Sequence, residues 1–189
     1  MPDIRTDRLL LRSWRESDLA PWAALNADPV VREHFPDVQT PERSAASAAH
    51  FQADLDERGW GWWAVEVVET GTFVGFAGLD PVEDGMPFGG IEAGWRLARP
   101  AWGHGYATEA ARAVVEFGFD GLDLPEILAV TTVGNVRSQA VMRRLGMTHD
   151  PAEDFDDPTV PEGPWRRSVV HRLRREEWLR DGERSRGRS

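Results

Sequence analysis

A mixed α/β (α+β) sheet with helices on its faces is the fold class this sequence predicts. Three observations carry it. Strand-like and helix-like segments follow in the order β-αα-βββ-α-β-α-β, which suits a helix-covered sheet and not a barrel. The segment 105–119 is apolar at helical spacing, while 126–133 is strongly β-branched. The 189 residues, 41% hydrophobic and 29% charged, suffice for one domain with a sizeable core.

A first strand is expected over Arg8 to Trp14, with Leu9 and Leu11 on one face and Leu10 on the other. Ser17 and Asp18 then start a helix running to about Asn26, with Pro21 tolerated in its first turn. Asp28-Pro29 and Thr40-Pro41 repeat one signal, an N-cap followed by proline at the first helical position. The second opens a helix to about Arg58, closed by Gly59. Trp60 to Val68 and Thr72 to Leu79, joined by the turn Glu69-Thr70-Gly71, form a hairpin. Residues 80–89 form a loop, and Gly90 to Leu97 a third sheet strand.

Gly105 to Phe119 is predicted helical, its stripe made by Ala107, Ala110, Ala111, Val114, Val115 and Phe119. Glu126 to Val133 is a strand, Ser138 to Leu145 a short helix closed by Gly146, 150–165 a long acidic and proline-rich loop, and Ser168 to Leu173 the last strand. Residues 1–179 read as one domain. The polar, Arg-rich tail 180–189 has no apolar residue and is expected to be disordered.

Composition excludes whole classes of chemistry. With no cysteine there is no disulfide, no Cys-ligated zinc and no cysteine nucleophile. All 22 basic residues are Arg, which removes Schiff-base chemistry and the lysine of a Walker loop. Tyr106 is the one tyrosine. A net charge of −10 disfavours a nucleic-acid partner and suits a cationic substrate, although solubility alone explains it equally. No apolar run is long enough for a bilayer, and the charged start MPDIRTDR does not read as a signal peptide, so no membrane partner and a cytoplasmic location are expected. The five histidines show no metal-ligand spacing, and no metal is expected. Most of the nine tryptophans are expected in the core, with one or two walling an acceptor pocket, where an aromatic face could hold a cation.

The segment richest in chemistry is Trp102-Gly103-His104-Gly105-Tyr106-Ala107-Thr108-Glu109-Ala110, between a strand and a helix. Two glycines allow close backbone approach, and the helix start behind them offers free N–H groups and a positive dipole end. Together they suit an anion, most naturally a pyrophosphate. A glycine-rich connection without a ligand is the competing reading. A second cluster, Asn135-Val136-Arg137-Ser138 through Met147, follows the β-branched strand, and helix capping alone explains Asn135 and Ser138.

W-G-H-G-Y-A-T-E-A followed by N-x-x-S-x-x-V-M-x-x-L-G-M resembles the GNAT superfamily of N-acetyltransferases, within it the branch of bacterial ribosomal-protein N-terminal (alanine) acetyltransferases. The resemblance runs from about Thr6 to Trp178 and includes R-T-D-R-L-L-L-R and G-I-E-A-G-W-R-L. It implies the GNAT fold, with acetyl-CoA as cosubstrate held where two parallel strands splay apart. Carried onto this chain, Gly103, His104, Gly105, Tyr106, Ala107 and Thr108 form the phosphate loop. Trp102 stands where many relatives have Arg or Gln. The strand ending at Leu97 pairs with the pantetheine, Asn135 hydrogen-bonds it, and Ser138 lies near the thioester sulfur.

An ammonium must lose a proton before it attacks, and Glu92, early in that strand, is the expected general base. Its competing reading is an ion pair with Arg96, which shares its face of the strand, or with another Arg. A backbone N–H near Trp95 would meet the oxyanion, and Ser138 or water would protonate the leaving thiolate. Asp156 and Asp157 are the next candidates for the base. Relatives in that branch carry more histidine where this chain has Asp156-Asp157-Pro158 and Arg167-Ser168-Val169, which implies a different acceptor.

The function expected is direct acetyl transfer to a primary amine, a protein N-terminus or a small molecule, by a monomer or homodimer. The alternatives are a transferase using a larger acyl-CoA such as succinyl-CoA, and a non-catalytic acyl-CoA-binding module.

Overall fold

The computed structural model describes residues 3–186. The chain opens with β1 (Ile4–Arg5) and β2 (Leu9–Arg12), a tight pair turned at Thr6, whose N–H donates to Leu9 O at 2.9 Å. The single strand expected over 8–14 is therefore shorter and has a partner the sequence did not reveal. Helices α1 (Leu19–Ala27) and α2 (Pro41–Arg58) follow. Then come β3 (Trp62–Val67), β4 (Thr72–Pro81) and β5 (Ile91–Leu97). Helix α3 (Tyr106–Glu116) runs into a π turn over Phe117–Gly121 and leads to β6 (Glu126–Thr132). The chain ends with α4 (Val136–Arg144), β7 (Thr148–His149), β8 (Phe155–Asp156), β9 (Arg167–Arg174) and α5 (Arg175–Arg186).

The nine strands form one sheet in the order β1-β2-β3-β4-β5-β6-β9-β7, with β8 also on β9. Every pairing is antiparallel except β5 with β6, joined through α3 as a parallel pair requires. The expected stripe of α3 is buried at Ala110, Ala111, Val114 and Val115, and Phe119 follows in the π turn. On the other side, Arg12 forks onto Asp18 at 2.7 and 2.9 Å and reaches Glu66 at 2.8 Å, fixing the start of α1 against the sheet.

Helix α2 obeys its sequence signals: Thr40 Oγ1 accepts from the Arg43 N–H, Pro41 is the first helical residue, and Gly59 caps the end at φ +78°. Asp28-Pro29 does not open a helix. Asp28 closes α1 and does act as a cap, its Oδ1 accepting from the Val30 N–H at 2.8 Å and its O from the Arg32 N–H at 3.0 Å, but a single turn follows, short of Pro36, which disfavours helix at the residue ahead of it. Of the tail expected to be disordered, residues 180–186 continue α5, and 187–189 lie outside the described residues. Only Trp14, Trp22 and Trp63 among the tryptophans are buried; the other six are half-buried, several of them along the cavity described next.

Candidate active site

Strands β5 and β6 are in register at one residue pair, Glu92 with Leu128, and then part. Beyond Glu92 the edge of β5 that faces β6 has no partner strand among the described residues, and a continuous cavity of about 2080 Å³ opens there. It runs from the start of α3 at one end to the aromatic residues beside α1 and α2 at the other.

At the α3 end, Gly103 and Gly105 both have φ +81°, a conformation that strains any side chain, and Gly105 is the N-cap. A Cβ at Gly103 would meet open space, so its backbone conformation, not crowding, calls for glycine. The half-buried first turn Tyr106, Ala107 and Thr108 points its unpaired N–H groups and the helix dipole toward the same space. His104 is exposed, and its ring stacks on Tyr106 at 5.4 Å.

This loop is braced from the turn between β1 and β2 by contacts the sequence did not suggest. Glu109 accepts from Thr6 Oγ1 at 2.6 Å, the Arg8 N–H at 3.0 Å and Arg8 Nε at 2.7 Å. Arg8 also donates to His104 O at 2.9 Å and lies 5.0 Å from the Tyr106 ring centre. Burial opposes ionisation of Glu109, and the hydrogen bonds from Thr6 and Arg8 outweigh it, so its pKa lies below the ordinary carboxylate value. The opening R-T-D-R and the later Y-A-T-E-A thus meet at one carboxylate. Glu109→Ala is expected to free the loop and weaken CoA binding three- to five-fold, about 1 kcal/mol. Calorimetric titration checks this, and an unaltered affinity would show that the brace does not position the loop.

Trp102 Nε1 donates to Leu97 O at 2.8 Å, so its polar atom is engaged at the end of β5, and Leu97 itself is buried. The Arg137 guanidinium lies 4.6 Å from the Trp102 ring centre and pairs with Glu33 at 3.0 Å. Arg137 is thus a cation beside the glycine loop where the sequence offered only Trp102. Asn135 caps α4: its Oδ1 accepts from the Ser138 N–H at 3.1 Å, and Nδ2 donates to Thr131 Oγ1 at 2.9 Å. Capping therefore holds, and one Nδ2 hydrogen remains for another acceptor. Asn135 and Ser138 both line the cavity.

Glu92 is half-buried at the root of the splay, opposite Asp80 on β4. Burial, then the carboxylates of Glu83 and Asp80 and, more weakly, Asp157, push its pKa up to about 7, against an opposing backbone hydrogen bond from Val130. It forms no ion pair with Arg96. Between them on the same face lies Gly94, where a Cβ would come within 2.9 Å of the Trp62 ring, so Trp62 stands between the two. Trp62 Nε1 donates to Asp80 Oδ2 at 3.2 Å, and Arg58 pairs with the other oxygen of Asp80 at 2.7 Å. Asp157 lines the cavity, whereas Asp156 is exposed and faces Arg167.

Arg96 occupies the aromatic end of the cavity. Its guanidinium carbon lies 4.5 Å from the ring centre of Phe35, 5.4 Å from Phe76 and 5.7 Å from Trp22. Burial, and then the charge of Arg32, lower its pKa to about 9.

The family model of the acetyltransferase (GNAT) domain matches residues 8–148. The FsC-acetyl coenzyme A-N(2)-transacetylase of Aspergillus fumigatus is 40% identical over 129 residues, 65% of this chain and 53% of that protein. The chain therefore spans about half the length of that relative. The crystal structure of an acetyltransferase from Agrobacterium tumefaciens is 28% identical with a TM-score of 0.73, covering 92% of this chain and 94% of that one. A ribosomal L7/L12 α-N-protein acetyltransferase solved in complex with coenzyme A has a TM-score of 0.72 at 16% identity, covering 92% of this chain and 98% of that one, a likeness of fold.

Proposed function

The chain belongs to the GNAT acetyltransferase family, whose members are acyltransferases drawing on an acyl-CoA, and on that premise we propose that it moves an acetyl group from acetyl-CoA directly to a primary amine. The observation that carries this reading is the parting of β5 from β6 at Glu92, with a carboxylate of pKa about 7 at the root of the cleft. The activity named for the Aspergillus relative, an acetyl coenzyme A-N(2)-transacetylase, supports both the acetyl donor and a nitrogen acceptor.

The two glycines at φ +81° and the start of α3 suit the CoA pyrophosphate, with Gly103 to Thr108 supplying N–H groups. The pantetheine lies along the free edge of β5 as far as Leu97, and the spare hydrogen of Asn135 Nδ2 reaches it. Arg137, rather than Trp102, supplies the nearby positive charge. The acceptor arrives as ammonium, and Glu92 takes its proton directly or through a water. The amine nitrogen then bonds to the thioester carbon, and a backbone N–H near Trp95 holds the oxyanion. The nitrogen gives up its second proton to water, the carbon–sulfur bond breaks, and Ser138 or water gives a proton to the thiolate.

A panel of amines with acetyl-CoA, read by release of free thiol, tests this function. The chain has no cysteine, so a thiol reagent reports CoA alone. Turnover with at least one amine is expected. Preference for succinyl-CoA would move the reading to a larger acyl group, and CoA binding without turnover would mark a non-catalytic module. Mass spectrometry after incubation with acetyl-CoA alone should show an unshifted protein, since direct attack needs no acyl-enzyme. A stoichiometric adduct chased by amine would overturn direct transfer.

A further inference from the structure

Arg96 takes no part in the transfer chemistry, and its surroundings are costly for a cation. Nη1 donates to Asn26 Oδ1 at 3.1 Å, while Nε is buried with no partner. Among the described residues no carboxylate lies within ion-pair distance of it. Its neighbour Arg32 makes the contrast plain. Arg32 lies over the same Phe35 ring at 4.0 Å, but it has an anion: Nε donates to Asp37 O at 2.9 Å, and Nη2 lies 3.6 Å from the Asp37 carboxylate. Arg96 is half-buried and lines the cavity, so its planar fork, shaped for a carboxylate, is open to a ligand there.

We propose that Arg96 anchors a carboxylate carried by the acceptor, so that the acceptor is an amino-carboxylate held at two points, its carboxylate at Arg96 and its amine near Glu92. This rests on the N-acetyltransferase reading above and names its substrate class. The opposite pole is acidic: Asp80, Glu83, Glu92 and Asp157 gather where the amine is deprotonated. Glu92 and Arg96 lie on one face of β5, four residues apart, about 13 Å along the strand at roughly 3.3 Å per residue. Trp62 fills the space between them, an apolar wall for the linking carbons.

The carboxylate belongs to the acceptor and not to the acyl group. Arg96 is in register with Phe76 on β4 and reaches α1 through Asn26, and its aromatic neighbours sit on α1, β4 and the turn at Phe35. β4, on which α1 packs, lies on the opposite side of β5 from β6, and of these elements the turn at Phe35 adjoins α4, through the Glu33–Arg137 pair.

The test pairs unbranched ω-amino carboxylates, from glycine upward in length, with their matched primary amides. Each is assayed with acetyl-CoA and also titrated calorimetrically into the CoA-loaded protein. The expected result is a chain length at which the acid is preferred over the amide by at least tenfold in kcat/KM, chiefly through KM. Arg96→Gln should cut that preference to about twofold or less with CoA affinity retained, and Arg96→Lys should restore part of it.

Equal treatment of acid and amide by the wild type in both readouts would overturn the proposal, as would a preference that survives Arg96→Gln. So would an Arg96-dependent preference for succinyl-CoA over acetyl-CoA with an uncharged amine, which places the carboxylate on the donor. Should Arg96→Gln fail to fold, competition of simple alkyl carboxylates against the acceptor in the wild type decides, and absence of competition counts against the site. Arg96-dependent binding of the acid with no turnover of any amine would refute the transferase reading and leave the carboxylate site standing.

Discussion

Glu92→Gln is expected to lower kcat by about 100-fold or more while leaving CoA affinity unchanged, the usual scale for loss of a general base. The wild-type rate should rise with pH through an inflection near 7, as burial and the neighbouring carboxylates hold the Glu92 proton to about that pH. In the variant that inflection should vanish, leaving only the titration of the amine itself. A second readout is independent of turnover. The folded protein holds this proton more tightly than the unfolded chain, whose carboxylate titrates near 4.5. Ionisation of Glu92 therefore opposes folding. Its favourable share of stability is complete below about pH 4.5 and is lost as pH rises through 7. Above pH 7, Glu92→Gln should melt at a higher temperature than the wild type while working far more slowly. Ser138→Ala should be the milder change, because a thiolate leaves with little help. The reverse ranking, with Ser138→Ala crippling and Glu92→Gln nearly silent, would send the search for a base to Asp157, which lines the cavity, and not to Asp156, which faces Arg167.

Gly105→Asp should reduce CoA affinity at least tenfold, about 1.4 kcal/mol, by calorimetry. Three effects combine at this position. The φ of +81° strains any side chain, the new carboxylate repels a pyrophosphate, and it stands near Arg8, whose Nη2 would lie 3.5 Å from the added Cβ. Gly59→Asp separates strain from ligand effects. Gly59 has φ +78° with open space around it, at the end of α2, so this variant should lose stability and keep its CoA affinity. Equal CoA binding by folded Gly105→Asp and wild type would remove the pyrophosphate from this loop.

Local signals are enough for the elements whose cause is local. Thr40-Pro41 and Gly59 bound α2 through capping chemistry within a few residues of each end, and the stripe of α3 is a matter of spacing along one helix. The glycine loop was legible for the same reason, since G-x-G ahead of an apolar stripe already implies unusual φ and free N–H groups. At Asp28-Pro29 the cap forms but a single turn follows, with Pro36 barring its extension. The alternation of β5 put Glu92 and Arg96 on one face, but their competing ion pair failed because Trp62, thirty residues earlier in the chain, lies against Gly94.

The sequence by itself therefore determined the order of the principal elements, both ends of α2, the anion-suited start of α3 and the candidate carboxylate on β5, and it missed β1, β7, β8, which falls in the loop expected over 150–165, and α5. The features it determined depend on neighbours within a turn of helix or a strand's alternation, where sequence distance and spatial distance agree. Tertiary structure alone decided that Glu109 braces the glycine loop through Thr6 and Arg8. It also decided that Arg137 covers Trp102, that Glu92 carries a pKa near 7, and that Arg96 sits among aromatic rings with no carboxylate. Each of these depends on groups far apart in the chain and on how much water their contact excludes. Charge energies are set by that exclusion, and no pattern along the chain records it.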